Sequence, residues 1–168
     1  MVNMLASSSS DPREQLAIDL FRQAYRLQMD GDFDTAADLY RKSIEVFPTA
    51  EAYTFLGWTY SFQGRIEEAI VQCKNAILID PTLGNPYNDI GAYLIGLGKP
   101  EEAIPWLERA IASKRYESYH FPWFNLGRAH EALESYREAL ACYRKALEIK
   151  PGYSLAKAAL NRLRTGIQ

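Results

Sequence analysis

An alanine stands at residues 36, 69, 103 and 139, so the intervals along the chain are 33, 34 and 36 residues. Sixteen residues before each alanine is a bulky side chain: Leu20, Tyr53, Tyr87 and Trp123. Twelve before each is a small one: Ala24, Gly57, Gly91 and Gly127. Seven after each comes another small residue, Ser43, Ala76, Ala110 or Ala146, and Pro48, Pro81 and Pro151 close three of the four stretches. So many residue classes held in register mean an array of one supersecondary motif, in which each copy buries its apolar face on its neighbours.

Within a copy the spacing predicts two amphipathic helices. In the second, Tyr53, Leu56, Gly57 and Tyr60 follow i, i+3, i+4, i+7, one face of a helix. Gly64 supplies the turn, since glycine takes positive φ without a Cβ penalty. Ile66, Ala69, Ile70, Cys73, Ala76 and Ile77 then form the inward face of the second helix. Gly57, Ala69 and Ala76 are small because paired helices approach closely only over short side chains. Asp80-Pro81 ends the helix, because proline pushes the preceding residue out of the α region.

The pattern resembles the tetratricopeptide repeat, with its W-x2-L-G-x2-Y, A-x3-F and closing A and P. The fourth copy carries it as Trp123-x2-Leu126-Gly127-x2-His130, then Ala139-x3-Tyr143, Ala146 and Pro151; the second reads Tyr53-x2-Leu56-Gly57-x2-Tyr60. The resemblance implies an all-α fold, a right-handed superhelical solenoid of helix-turn-helix pairs. It divides the chain into a flexible tail, residues 1–10, and a single domain, 11–168. Repeats are expected at about 17–49, 50–83, 84–117 and 120–153, with a capping helix at 154–164. Asp11-Pro12-Arg13-Glu14 reads as a cap and helix start. Gln23 replaces the usual leucine, as a less apolar terminal repeat requires. The 36-residue step predicts a longer helix end or an enlarged loop within Ser113-Lys-Arg-Tyr-Glu-Ser-Tyr-His, placing His120 in that loop. Pro105 falls inside a predicted helix, survivable if Pro100 is its first residue.

Composition narrows the function. Nineteen Lys and Arg against 21 Asp and Glu leave a net charge of −2, too little basic character for general nucleic-acid binding. No apolar run approaches the ~20 residues that span a bilayer, and the first residues lack the basic region of a signal peptide. A cytoplasmic protein is the expectation. Cys73 and Cys142 form no metal or redox motif, and Cys73 matches the packing slot of Tyr40, Leu107 and Tyr143. The acidic pairs Glu67-Glu68 and Glu101-Glu102, like Asp34 and Glu138, open second helices, where the helix dipole favours negative charge. His130 takes a packing position. No catalytic residue, cofactor or metal site is expected. Residues 137–168 carry seven Lys/Arg and two acids, a basic end that a solvated helix explains more simply than an acidic partner.

The resemblance assigns the concave surface to repeat positions 2, 5, 9, 12 and 13, counting the bulky signature residue as 4. Those positions yield six aromatics, Phe21, Tyr25, Trp58, Phe62, Phe121 and Phe124, together with Asn88 and Arg128. An exposed aromatic patch marks a binding site. One subclass of the family grips acidic chaperone tails with Lys, Asn and Arg at set positions. Here those positions hold Phe21, Tyr25, Phe55, Asn85 and Asp89, or, one repeat on, Thr54, Trp58, Asp89, Phe121 and Asn125. The clamp is absent. The expectation is a non-catalytic interaction module that takes a peptide or helix of a partner protein on aromatic anchors, the alternative being a self-associating scaffold.

Overall fold

A computed structural model describes residues 11–166. The expected N-terminal tail lies outside the described residues. Among these, nine helices follow one another: α1 Pro12–Met29, α2 Phe33–Val46, α3 Ala50–Phe62, α4 Ile66–Ile79, α5 Asn85–Gly96, α6 Pro100–Ala112, α7 His120–Ala132, α8 Tyr136–Ile149 and α9 Ser154–Gly166. The chain divides between Ile79 and Asp80 into two compact units. In the N-terminal unit α1 packs on α2, α2 on α3 and α3 on α4. In the C-terminal unit α5 packs on α6 and α7, α7 on α8, and α8 on the capping helix α9.

Each hairpin closes in one way. The residue at the turn has positive φ: 86° at Gly31, 76° at Gly64, 74° at Gly98 and 58° at Glu134. The following N–H (Asp32, Arg65, Lys99 or Ser135) donates to the carbonyl five residues back at 2.9 Å in all four. That bond satisfies a carbonyl which the helix end would otherwise orphan. The fourth turn accepts a glutamate in the left-handed region, a conformation that disfavours any residue with a Cβ.

Close helix approach is visible at the small positions. A Cβ built on Gly91 would sit 2.5 Å from the Leu107 side chain, one on Gly127 2.6 Å from the Tyr143 ring, and one on Gly57 3.0 Å from the Ala69 carbonyl oxygen. Cys73 is buried, as its packing slot predicts. Where that slot holds tyrosine, the partner helix supplies an acceptor. Tyr40 O–H donates to Gln28 Oε1 at 2.8 Å, and Tyr143 O–H to Glu131 Oε2 at 2.6 Å. Arg162 of α9 donates to both Glu131 oxygens, at 2.6 and 2.8 Å, latching the cap onto the last repeat.

The helix ends follow the sequence. Asp11 Oδ1 accepts from the Arg13 N–H at 2.9 Å, with Pro12 as the first helical residue; α1 therefore starts five residues ahead of the expected repeat boundary. Pro100 opens α6, and Pro105 sits inside that helix without ending it. Residues 113–119 form an enlarged loop, which folds back on the segment that leads into α5. Arg115 N–H donates to Thr82 O at 3.1 Å and Gly84 N–H to Arg115 O at 3.0 Å, while the Arg115 guanidinium pairs with Asp80. Tyr116 is buried against Gly84, where a Cβ would lie 2.6 Å from it. His120 is not in this loop. It is the first residue of α7 and is buried, because the loop closes one residue earlier, where Tyr119 O–H donates to Ser113 O at 2.6 Å.

Candidate functional site

The first helices of the repeats carry all eight residues singled out from the sequence: α1 and α3 in the N-terminal unit, α5 and α7 in the C-terminal unit. The two faces are built from different chemistry.

In the N-terminal unit Phe55, a residue considered above only as a failed clamp position, stands at the centre of a ring cluster. Phe21, Trp58 and Tyr25 meet it edge-on at centroid distances of 5.2, 5.6 and 5.7 Å. Edge-to-face pairs at this distance are worth about 0.5–1.5 kcal/mol beyond their buried area. Trp58 continues to Phe62 at 5.6 Å, and Phe62 stacks on Phe33 at 5.0 Å and 7°. Tyr25, Trp58 and Phe62 remain 38%, 39% and 53% exposed. Phe21 differs. It is enclosed between Phe55 and Tyr40 and only 6% exposed, so it is a core residue supporting the face and not an anchor that a ligand can reach. Its position points toward the groove only until the next helix supplies a large ring to cover it.

In the C-terminal unit the equivalent positions carry amides. Asn125 Nδ2 donates to Asn88 Oδ1 at 3.0 Å, both residues being buried. Arg128 Nη1 donates to Asn125 Oδ1 at 3.1 Å. Asn88 Nδ2 in turn donates to Asp89 Oδ1 at 3.3 Å, and burial pushes the Asp89 carboxyl up to about 7 against the pull of that bond. Arg128 keeps further N–H groups, and no carboxylate among the described residues pairs with it. Asn88 is therefore a covered link in a polar chain, whereas Arg128, half-buried, is its open end.

Beside this chain lies a second ring cluster. Tyr153, from the segment before α9, meets Phe124 at 5.2 Å and Phe121 at 5.8 Å, both edge-on. His120 packs on Phe121 at 4.1 Å and on Tyr153 at 5.0 Å. Its burial, with Lys150 nearby, holds the imidazole below its usual range. Phe121 is 39% exposed. Phe124 is half-buried, packed on Tyr143 and the α8–α9 core. Among the described residues no group of three His, Cys, Asp or Glu side chains is placed to hold a metal ion, and no helix is long and apolar enough to cross a membrane.

The tetratricopeptide repeat family matches the chain at residues 50–83, 87–115 and 121–153, together more than half of its length. The protein SGT1 homolog of Oryza sativa subsp. japonica is 36% identical over 93 residues, 55% of this chain and 25% of that protein. The chain spans about a quarter to a third of the length of the curated relatives it matches. Among solved structures, MamA is 28% identical with a TM-score of 0.73, covering 85% of this chain and 83% of its own. The first tetratricopeptide domain of Spaghetti (RPAP3), bound to the HSP90 peptide SRMEEVD, is 25% identical with a TM-score of 0.66, covering 71% and 93%.

Proposed function

Because this chain belongs to the tetratricopeptide repeat family, whose members are protein-interaction modules, we propose that it binds a peptide or helix of a partner protein on the faces of its first helices. The observation that carries this reading is the row Tyr25, Trp58 and Phe62, three large rings left well exposed although neighbouring rings pack on each of them. Burying such a ring against a ligand removes a further share of its 150–250 Å2 from water. Phe121 and Phe124 offer a smaller apolar contact in the C-terminal unit, where Arg128 presents donors to a polar or acidic group of the ligand.

The ligand class differs from that of the peptide-bound relative. SRMEEVD carries three acids among its last four residues, and the positions that grip acidic tails hold Phe21, Tyr25 and Phe55 in this chain. Aromatic rings in place of lysine and asparagine select an apolar segment. Affinity capture that compares the wild-type chain with a Tyr25→Ala/Trp58→Ala/Phe124→Ala variant tests the reading. We expect the partner to be retained in high salt, since apolar burial is little screened, and to be lost from the variant. Capture that survives the variant but disappears in salt would move the site to the basic C-terminal end.

A further inference from the structure

We infer that the first-helix face of the C-terminal unit reads a pair of opposite charges on its ligand, a basic side chain at Asp89 and an acidic one at Arg128. The inference rests on the docking reading of that face, and it gives Asp89 a role that the groove positions do not.

Three observations carry it. The first is direction. Arg128 donates to Asn125 at 3.1 Å, Asn125 to Asn88 at 3.0 Å and Asn88 to Asp89 at 3.3 Å. A guanidinium only donates and a carboxylate only accepts, so the two ends fix the orientation of both amides between them. A cation and an anion of one unit are thus held apart by two side-chain amides, each end oriented before any ligand arrives.

The second is that neither end has a counter-ion. Among the described residues no Lys, Arg or His pairs with Asp89 and no carboxylate pairs with Arg128. Elsewhere the same unit makes its ion pairs directly, Asp80 with Arg115 and Glu131 with Arg162. Glu131 is the acid of α7 within a turn of Arg128, and it is occupied by Arg162 and the Tyr143 hydroxyl. Asp89 is worse served. It is half-buried and accepts from Asn88 alone, whereas a carboxylate has about four lone-pair sites. Burial pushes its carboxyl up to about 7, because a desolvated charge with so few donors is costly. A ligand cation supplies the partner that the fold does not.

The third is surroundings. The enlarged loop sets Tyr116 so that its own burial and then the Asp89 charge hold its hydroxyl above the usual range, and Tyr119 meets Tyr116 edge-on at 5.4 Å. An acid beside tyrosine rings suits an ammonium or a guanidinium. At the other end the Arg128 charge acts on the Tyr153 hydroxyl, against the larger effect of burial, and the Tyr153 ring meets Phe124 at 5.2 Å. The apolar carbons of an acidic side chain find cover there.

Panning a phage-displayed library of random dodecapeptides on the full chain tests the inference with a defined probe. We expect peptides selected on the wild-type chain to carry a basic and an acidic residue at a constant separation. Asp89→Asn, which keeps the shape, should lose the basic preference alone, and Arg128→Gln the acidic one alone. Each should weaken a wild-type-selected peptide about tenfold, as for a lost hydrogen bond to a charged group. Arg128→Glu should select a basic residue where the wild type selects an acidic one, a gain that misfolding does not produce. Selected peptides without a charge preference, or a basic preference that Asp89→Asn leaves intact, overturn the inference. Where such peptides still require Trp58, only the charge pair is refuted and the docking reading stands. A library that yields no enriched peptide refutes both.

Discussion

The two units answer one geometric question with opposite chemistry. In each, position 5 of one first helix meets position 6 of the next, and position 9 of that next helix leans on position 6. The N-terminal unit fills these three places with Phe21, Phe55 and Trp58, rings 5.2 and 5.6 Å apart. The C-terminal unit fills them with Asn88, Asn125 and Arg128, joined by hydrogen bonds of 3.0 and 3.1 Å. An apolar seam has no preferred direction and tolerates many ligand shapes, whereas a chain of amides ending in a guanidinium must be satisfied donor by donor. The difference teaches that groove position alone does not make a contact residue. In both units the position 5 side chain of the leading helix, Phe21 or Asn88, is covered by the next helix, while the position 9 side chain of that next helix, Trp58 or Arg128, stays accessible.

The largest effect that could break this comparison is at Phe21. If it is core, Phe21→Ala should cost about 3–5 kcal/mol, the usual range for a buried phenylalanine, read as a large drop in melting temperature. A loss under about 1 kcal/mol would put Phe21 back in the groove. Its counterpart in the amide seam should cost less. Asn125→Ala leaves Asn88 Oδ1 and one Arg128 N–H without their partner, a penalty of about 1–3 kcal/mol. Denaturant unfolding at equal slope measures it, and an unchanged midpoint would mean that water already serves both groups.

The smallest effect concerns the turns. Glu134 holds the left-handed conformation that glycine holds in the other three hairpins. Glu134→Gly relieves a strain of about 1–2 kcal/mol while adding the entropy that glycine loses on folding, about 0.5–1 kcal/mol. A net gain of about 0.5–1 kcal/mol in thermal unfolding is expected, and a loss would show that the glutamate side chain contributes more than its backbone costs.

Much of the fold was legible because the repeat writes it four times. Gly57, Gly91 and Gly127 announced close approach, and a Cβ on any of them would crowd the second helix. The fourth turn was not legible, since Glu134 removes the glycine that marks the others. The candidate site was legible as a set of positions but not as a set of exposures. Phe21 and Asn88 are covered by Phe55 and Asn125, which precede Trp58 and Arg128 by three and which no single-helix pattern assigns to a neighbour. His120 and Tyr153 joined the Phe121 and Phe124 cluster from outside the repeat signature, because the path of the chain between helices is set by packing and leaves no periodic trace.

Trp58 is proposed as a contact residue on a stable face. Melting and partner titration on the same Trp58→Ala protein test it most directly. We expect a melting temperature close to wild type together with a loss of ~2 kcal/mol in binding, about thirtyfold in affinity, as for an anchor aromatic truncated in a desolvated interface. A protein that melts as early as Phe21→Ala, or one that binds its partner unchanged, would contradict it.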